Sequence, residues 1–168
     1  MRNYVITGDP GIGKTTTLEE LGKLGYEIVE ESARIVWRSG YDASKDLGGF
    51  QLRVLERQLE LEARARGDPV FLDRGVFDCI AYCRLGNIEV PRKLQMLTRE
   101  HKYGGIFILD PLPFYNIDAE RKEGRELARR IHETIISVYK ELGYNLERIP
   151  VLSPEERAKE IIKKVGGR

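Results

Sequence analysis

One eight-residue run constrains this chain more than any other feature: Gly8-Asp9-Pro10-Gly11-Ile12-Gly13-Lys14-Thr15, an unbroken match to G-x-x-x-x-G-K-[ST]. It lies between the apolar Tyr4-Val5-Ile6-Thr7 and a helix-compatible Thr16-Thr17-Leu18. Glycines at these spacings let the backbone take positive φ and turn its N–H groups inward around an anion. A helix opening at the end of such a loop aims its positive N-terminal end at the same anion. Lys14 then supplies a compact charge for β- and γ-phosphate oxygens, and the Thr15 hydroxyl is placed to ligate Mg²⁺. Gly8 through Thr16 are therefore the expected nucleotide-binding residues, with ATP and Mg²⁺ as the implied ligands. A guanine-reading Asn-Lys-x-Asp sequence is absent, which favours ATP over GTP.

The surrounding pattern supplies the context this loop needs. Five short apolar segments read as strands: Tyr4–Thr7, Tyr26–Val29, Val70–Leu72, Ile106–Leu109 and Leu146–Ile149. Between them run segments with helical spacing. Leu52, Leu55, Leu59 and Ala63 form one apolar stripe; Leu127, Ile131, Ile135, Val138 and Leu142 form another. Pro91 is expected as the first residue of a helix, and Ser153-Pro154-Glu155-Glu156 as a capped helix start. Alternating strands and helices predict an α/β fold of three layers, a parallel sheet with helices on both faces. At 168 residues the chain suits one nucleotide-binding domain, residues 1–168, with a lid expected around 113–130.

Three further segments hold candidate chemistry. In Val70-Phe71-Leu72-Asp73-Arg74-Gly75, the acid ends an apolar strand at the sheet edge where ligands of such sheets bind. Asp73 is the second candidate metal residue beside Thr15. Hydrolytic motors usually follow this acid with Glu; here Arg74 follows, a group suited to a phosphate or a second substrate. The plain alternative is an Asp–Arg cap on the next helix. In Val29-Glu30-Glu31-Ser32-Ala33-Arg34, Glu31 is placed to accept a hydroxyl proton or bind a substrate, with Arg34 on the same helical face; a surface i,i+3 ion pair is the alternative. The third is Arg121-Lys122-Glu123-Gly124-Arg125, running on to Arg129 and Arg130. Arg121 and Arg125 read as lid cations for a transferring phosphoryl group, Arg129 and Arg130 as a solvated helix face.

The remaining candidates are blander. Cys79 and Cys83, the only cysteines, read as reduced core side chains because no further thiol completes a metal set. His101 and His132 read as structural or surface residues, Trp37 and Tyr41 as core or rim packing. Lys and Arg number 28 against 27 acids, a net charge of +1 that supplies no field for a nucleic-acid or membrane partner. No apolar run is long enough to span a bilayer, and an apolar segment at Tyr4 leaves no room for a leader, so a cytoplasmic location is expected.

The Asp73-Arg74 pair followed by Asp78 and Ala81-Tyr82 resembles a stretch of thymidylate-kinase-type enzymes. Over nearly its whole length the chain is more similar to small P-loop proteins classed as AAA-type ATPase domains, which are related to ribosylnicotinamide-kinase domains. The matching stretches are the glycine-rich loop, Glu31–Arg34, Asp73–Gly75, Tyr103–Pro113, Ile131–Glu133 and Leu142–Tyr144. This resemblance implies the kinase type of the fold, five parallel strands with the loop-bearing strand central, and lid arginines near Arg121 and Arg125. It adds Asp78 to Glu31, Arg34, Arg74 and Arg121 as candidate substrate residues. The expected activity is transfer of the γ-phosphoryl of ATP·Mg²⁺ to a nucleoside- or nucleotide-like small molecule, with Lys14, Asp73, Arg74, Glu31 and Arg125 as the catalytic set. A nucleotide-dependent binding protein and a simple NTPase are the competing expectations.

Overall fold

The computed structural model describes residues 2–111 and 124–166, with the side chain of Arg125 excepted. In chain order the elements are β1 (Asn3–Thr7), α1 (Lys14–Lys23), β2 (Glu27–Val29), α2 (Ser32–Arg38), α3 (Leu47–Arg64) and β3 (Val70–Asp73). They continue with α4 (Asp78–Leu85), α5 (Arg92–Glu100), β4 (Gly105–Leu109), α6 (Arg125–Glu141), β5 (Leu146–Ile149) and α7 (Pro154–Val165). The strands form one parallel sheet in the order β2-β3-β1-β4-β5. β1 is central, so the loop it feeds opens where chain direction switches from one half of the sheet to the other, the crevice in which such sheets bind ligands.

Side-chain alternation along the strands divides the core in two. Tyr4, Ile6, Phe71, Phe107 and Leu109 pack with Leu18 and Leu21 of α1 and Ala158 and Ile161 of α7. The alternate residues Val5, Val70, Leu72, Ile106 and Ile108 face Phe50, Val54 and Leu55 of α3, Ile80 and Ala81 of α4, and Ile131, Ile135 and Val138 of α6. Both faces are covered, as continuous apolar strands require.

Helix ends follow local chemistry. Ser153 and Glu156 form a reciprocal capping box at the start of α7, and Asp46 caps α3 by accepting from the Gly49 amide. The α6 stripe is buried as its spacing predicts. Two expectations need correction. Pro91 caps α5, which begins at Arg92, and is not its first residue. The α3 stripe is rotated: Leu52 and Ala63 are exposed, whereas Phe50, Gln51, Val54, Leu55, Gln58 and Glu62 face inward. Three polar side chains occupy that inner face, so a reading that sends polar residues outward turns the helix the wrong way. Cys79 and Cys83 are buried free thiols, as expected.

Candidate active site

The phosphate loop is built from opposite ends of the chain. Gly8 has φ 135° and Gly13, the N-cap of α1, has φ 92°, values that side chains with a Cβ rarely adopt. A Cβ on Gly13 would also lie 2.8 Å from Nη1 of Arg157. Ile12 is fully buried beneath the loop and anchors it to the α1/α7 core. Pro10 and Gly11 form the outer turn, and the Thr16 hydroxyl donates to the Gly13 carbonyl at 2.9 Å.

Lys14 is buried and donates to the carbonyls of Asp9 (2.7 Å) and Gly8 (3.3 Å), which places its ammonium at the mouth of the cradle. Burial, reinforced by the nearby Arg74 cation, lowers its pKa to about 8, while Asp73, Glu31 and Asp78 pull the other way. Thr15 Oγ1 donates to Asp73 Oδ2 at 3.3 Å, and Asp73 Oδ1 is buried without a partner. Burial raises the Asp73 pKa against the pull of Lys14. An orphaned carboxylate oxygen beside a hydroxyl fits a hard divalent cation such as Mg²⁺, which takes one or two protein oxygens and completes its shell with phosphate and water. Among the described residues no group of three or more His, Cys, Asp or Glu could hold a metal, so any ion here needs the nucleotide's oxygens as well. Asp73 makes no capping bond; α4 opens after Phe77 without a side-chain cap, and Asp78 in its first turn accepts from the Gly75 amide at 3.0 Å.

Arg74 follows β3 in the left-handed region, φ 70°, an uncommon conformation for a residue with a Cβ. Its guanidinium donates to Glu31 Oε1 and to Asp78 Oδ1, each at 3.1 Å, and lies over the Tyr82 ring. Asp78, only 3% exposed, also accepts from the hydroxyls of Thr7 and Tyr139, the latter at 2.7 Å. Both its oxygens are committed, so it holds Arg74 from behind. Glu31 ends the β2–α2 connection, half in the open. Burial works to raise its pKa, but Arg74 and Lys14 outweigh it and hold the carboxyl below its ordinary value. Arg34 forms the exposed i,i+3 pair with Glu31 at 3.3 Å. Arg121 lies outside the described residues. Arg125 opens α6, and Arg129 pairs with Glu126 and Glu133 on an exposed face.

Two residues that the sequence did not single out for function touch the loop directly. His132 of α6 is buried, with Nδ1 3.0 Å from Asp9 Oδ1, which makes it the structural rather than the surface histidine of the two readings. Arg157 of α7 donates from Nη1 to the Ile12 carbonyl at 2.7 Å. Neither carries a motif. The only available signals were an imidazole beside the buried Ile131/Ile135 stripe and a cation just inside a capped helix.

Beside the loop lies a cavity of about 280 Å³, walled by Ala33, Leu47, Phe50, Val54, Cys79 and Tyr82 and edged by Glu31 and Arg74. A phosphate cradle opening at a parallel-sheet switch point, next to a second concave site across one acid, defines a P-loop protein of the kinase type. Residues 3–157 match the family described as AAA domain, and the chain belongs to that family.

No curated protein matches the chain. Among solved structures it is similar to NadR protein in complex with NR, with TM-score 0.75 and 16% identity over 99% of this chain and 51% of that one. The chain thus spans about half the length of NadR. Deoxyadenosine kinase from M. mycoides superimposes with TM-score 0.66 and 17% identity, over 98% of both chains. Thymidylate kinase from Ehrlichia chaffeensis gives 0.61 and 18%, also over 98% of both. At these identities the likeness establishes the fold. No helix among the described residues is long and apolar enough to cross a membrane.

Proposed function

We propose that the chain is an ATP-dependent small-molecule kinase that transfers the γ-phosphoryl group to a hydroxyl of a nucleoside- or nucleotide-like acceptor. The observation that carries this reading is the adjacency of phosphate loop and cavity: Thr15 of the loop reaches Asp73 at 3.3 Å, and Arg74, the next residue, reaches Glu31 on the cavity edge at 3.1 Å. A hydroxyl seated against Glu31 would face a γ-phosphorus held by the loop. In the transfer, the acceptor oxygen forms a bond to phosphorus, the bond from phosphorus to the β,γ-bridging oxygen breaks, and the hydroxyl proton passes to the Glu31 carboxylate.

Arg74 orients Glu31 and Lys14 stabilises charge on the transferring oxygens; Arg125 is proposed to join them from the head of α6. Mg²⁺, held by Thr15 and Asp73, would neutralise the β- and γ-oxygens of the bound triphosphate. The test is a screen of nucleosides, nucleotides and sugars with γ-labelled ATP. Label on an acceptor is the expected result; label released only as inorganic phosphate would make the chain a simple NTPase, and retention of label on ATP in every mixture would make it a binding protein.

A further inference from the structure

The cavity beside Glu31 contains two buried glutamines on one face of α3, and they differ in a way that points to a ligand. Gln58 is fully committed. Its Oε1 accepts from the Ser32 hydroxyl at 2.6 Å, and its Nε2 donates to Glu62 at 2.9 Å and to the Arg74 carbonyl at 3.3 Å. Gln51, two turns earlier and 5% exposed, lines the same cavity, yet its carboxamide has no hydrogen-bond partner among the described residues. Its amide atoms are not sealed in the packed core, so their unused donor and acceptor are offered to the cavity itself, where a ligand can satisfy them. Around it the walls are Leu47, Phe50, Val54 and Tyr82, apolar surfaces suited to a flat ring.

The charges of the cavity narrow the ligand further. Arg74 is its only cation among the described lining residues, and two carboxylates, Glu31 and Asp78, already engage it. Among these described residues a phosphate or carboxylate would find no uncommitted counter-charge and would meet a net negative wall. A carboxamide presents one donor and one acceptor side by side, and the complementary group is a nucleobase edge, as in paired Gln–adenine contacts. Glu31 and Gln51 line the same cavity, so one ligand can meet both.

We infer that Gln51 is the specificity-determining residue of the acceptor site, and that the acceptor is an unphosphorylated nucleoside: its base edge pairs with Gln51 and its sugar hydroxyl meets Glu31. This rests on the kinase reading for the direction of the hydroxyl, but the recognition it describes is measurable without turnover.

The experiment is calorimetric titration of the full chain, saturated with a non-hydrolysable ATP analogue. The probes are adenosine, guanosine, cytidine and uridine, their 5′-monophosphates, and phenyl riboside, which has the sugar and a ring but no hydrogen-bonding edge. At least one nucleoside is expected to bind, its 5′-monophosphate at least about tenfold more weakly, and phenyl riboside about tenfold to a hundredfold more weakly. Gln51→Leu is expected to bring the nucleoside down to the level of phenyl riboside, while affinity for the ATP analogue stays at the wild-type value and certifies the fold. Should Gln51→Leu lose the analogue too, the comparison of nucleoside with phenyl riboside on the wild type decides alone. Binding of no nucleoside, a monophosphate bound more tightly than its nucleoside, or equal nucleoside affinity in a folded Gln51→Leu would each overturn the assignment. Gln51-dependent nucleoside binding with no label transferred would leave it standing and sink the kinase reading instead; transfer to an acceptor indifferent to Gln51 would do the reverse.

Discussion

His132 and Asp9 stand 123 positions apart in sequence, yet Nδ1 of the imidazole lies 3.0 Å from the carboxylate in a buried contact between α6 and the phosphate loop. Asp9 precedes most of the amides that form the cradle, so this contact sets how the loop leaves β1. Removing the imidazole strands a buried carboxylate. We expect His132→Ala to lower stability by about 1–3 kcal/mol and to weaken binding of an ATP analogue. A double-mutant cycle with Asp9→Asn, read by chemical denaturation, should return a coupling energy of about 1 kcal/mol or more. Additive effects would deny the contact any part in shaping the loop.

Lys14 predicts the pH dependence of nucleotide binding. Its pKa of about 8 is set largely by burial, and a bound triphosphate must raise it by adding negative charge. Below pH 8 the lysine is already charged, and affinity should be level. Above pH 8 binding must take up a proton, so affinity should fall about tenfold per pH unit until the pKa of the complex is reached. Calorimetry in buffers of different ionisation enthalpy would count that proton. In Lys14→Met the slope should vanish along with most of the affinity.

Asp73 should show opposed effects on activity and stability. Its carboxyl has a raised pKa in the folded state, so its contribution to stability is present below the unfolded value and lost as pH rises through the folded one. At pH 7 the ionised group is therefore a cost, and Asp73→Asn should be more stable than wild type by about 1 kcal/mol. Activity should nevertheless fall, with partial recovery in excess Mg²⁺. Thermal denaturation with and without Mg²⁺ and nucleotide checks both: the ligand-dependent rise in Tm should be large in the wild type and small in the variant.

At Arg74 backbone and side chain pull in opposite directions. Glycine would relieve the φ of 70° but would leave Glu31 and Asp78 without their shared cation. Relief of about 1–3 kcal/mol set against about 3–5 kcal/mol for an unpaired buried charge predicts a net loss of about 2 kcal/mol in Arg74→Gly. Arg74→Lys keeps the charge but cannot bridge two carboxylates with a planar fork, so turnover should drop while folding is largely kept. Urea titration and steady-state kinetics separate these outcomes.

Arg125 is tested by kinetics alone. If it meets the transferring phosphoryl group, Arg125→Ala should reduce turnover by about 10²- to 10³-fold and leave ATP affinity nearly unchanged. A solvated helix residue would change neither by more than about 1 kcal/mol.

Much of this architecture was legible from local pattern. The glycine-rich run, the five β-branched or aromatic segments and the α6 stripe are signals carried by neighbouring residues, and each maps onto the element it implied. Asp73 was legible because an acid closing an apolar strand of a parallel sheet has one place to be. The serine–glutamate pair at Ser153 and Glu156 was legible because capping is a matter of three residues.

What the sequence by itself determined, then, is the cradle, the sheet and the strand-end acid, since spacing over a few residues dictates backbone geometry there. Only the tertiary structure decided who touches the cradle and what the cavity presents. His132 meets Asp9, Arg157 meets the Ile12 carbonyl, and Asp78 gathers Thr7 and Tyr139, all across separations that no local period encodes. The same holds for α3. Gln58 and Glu62 lie inward because partners from α2, the β3–α4 turn and the approach to β4 satisfy them there. Gln51 shares that face without a protein partner. Burial of a polar group is settled by what surrounds it in space, and that surrounding exists only once the chain has folded.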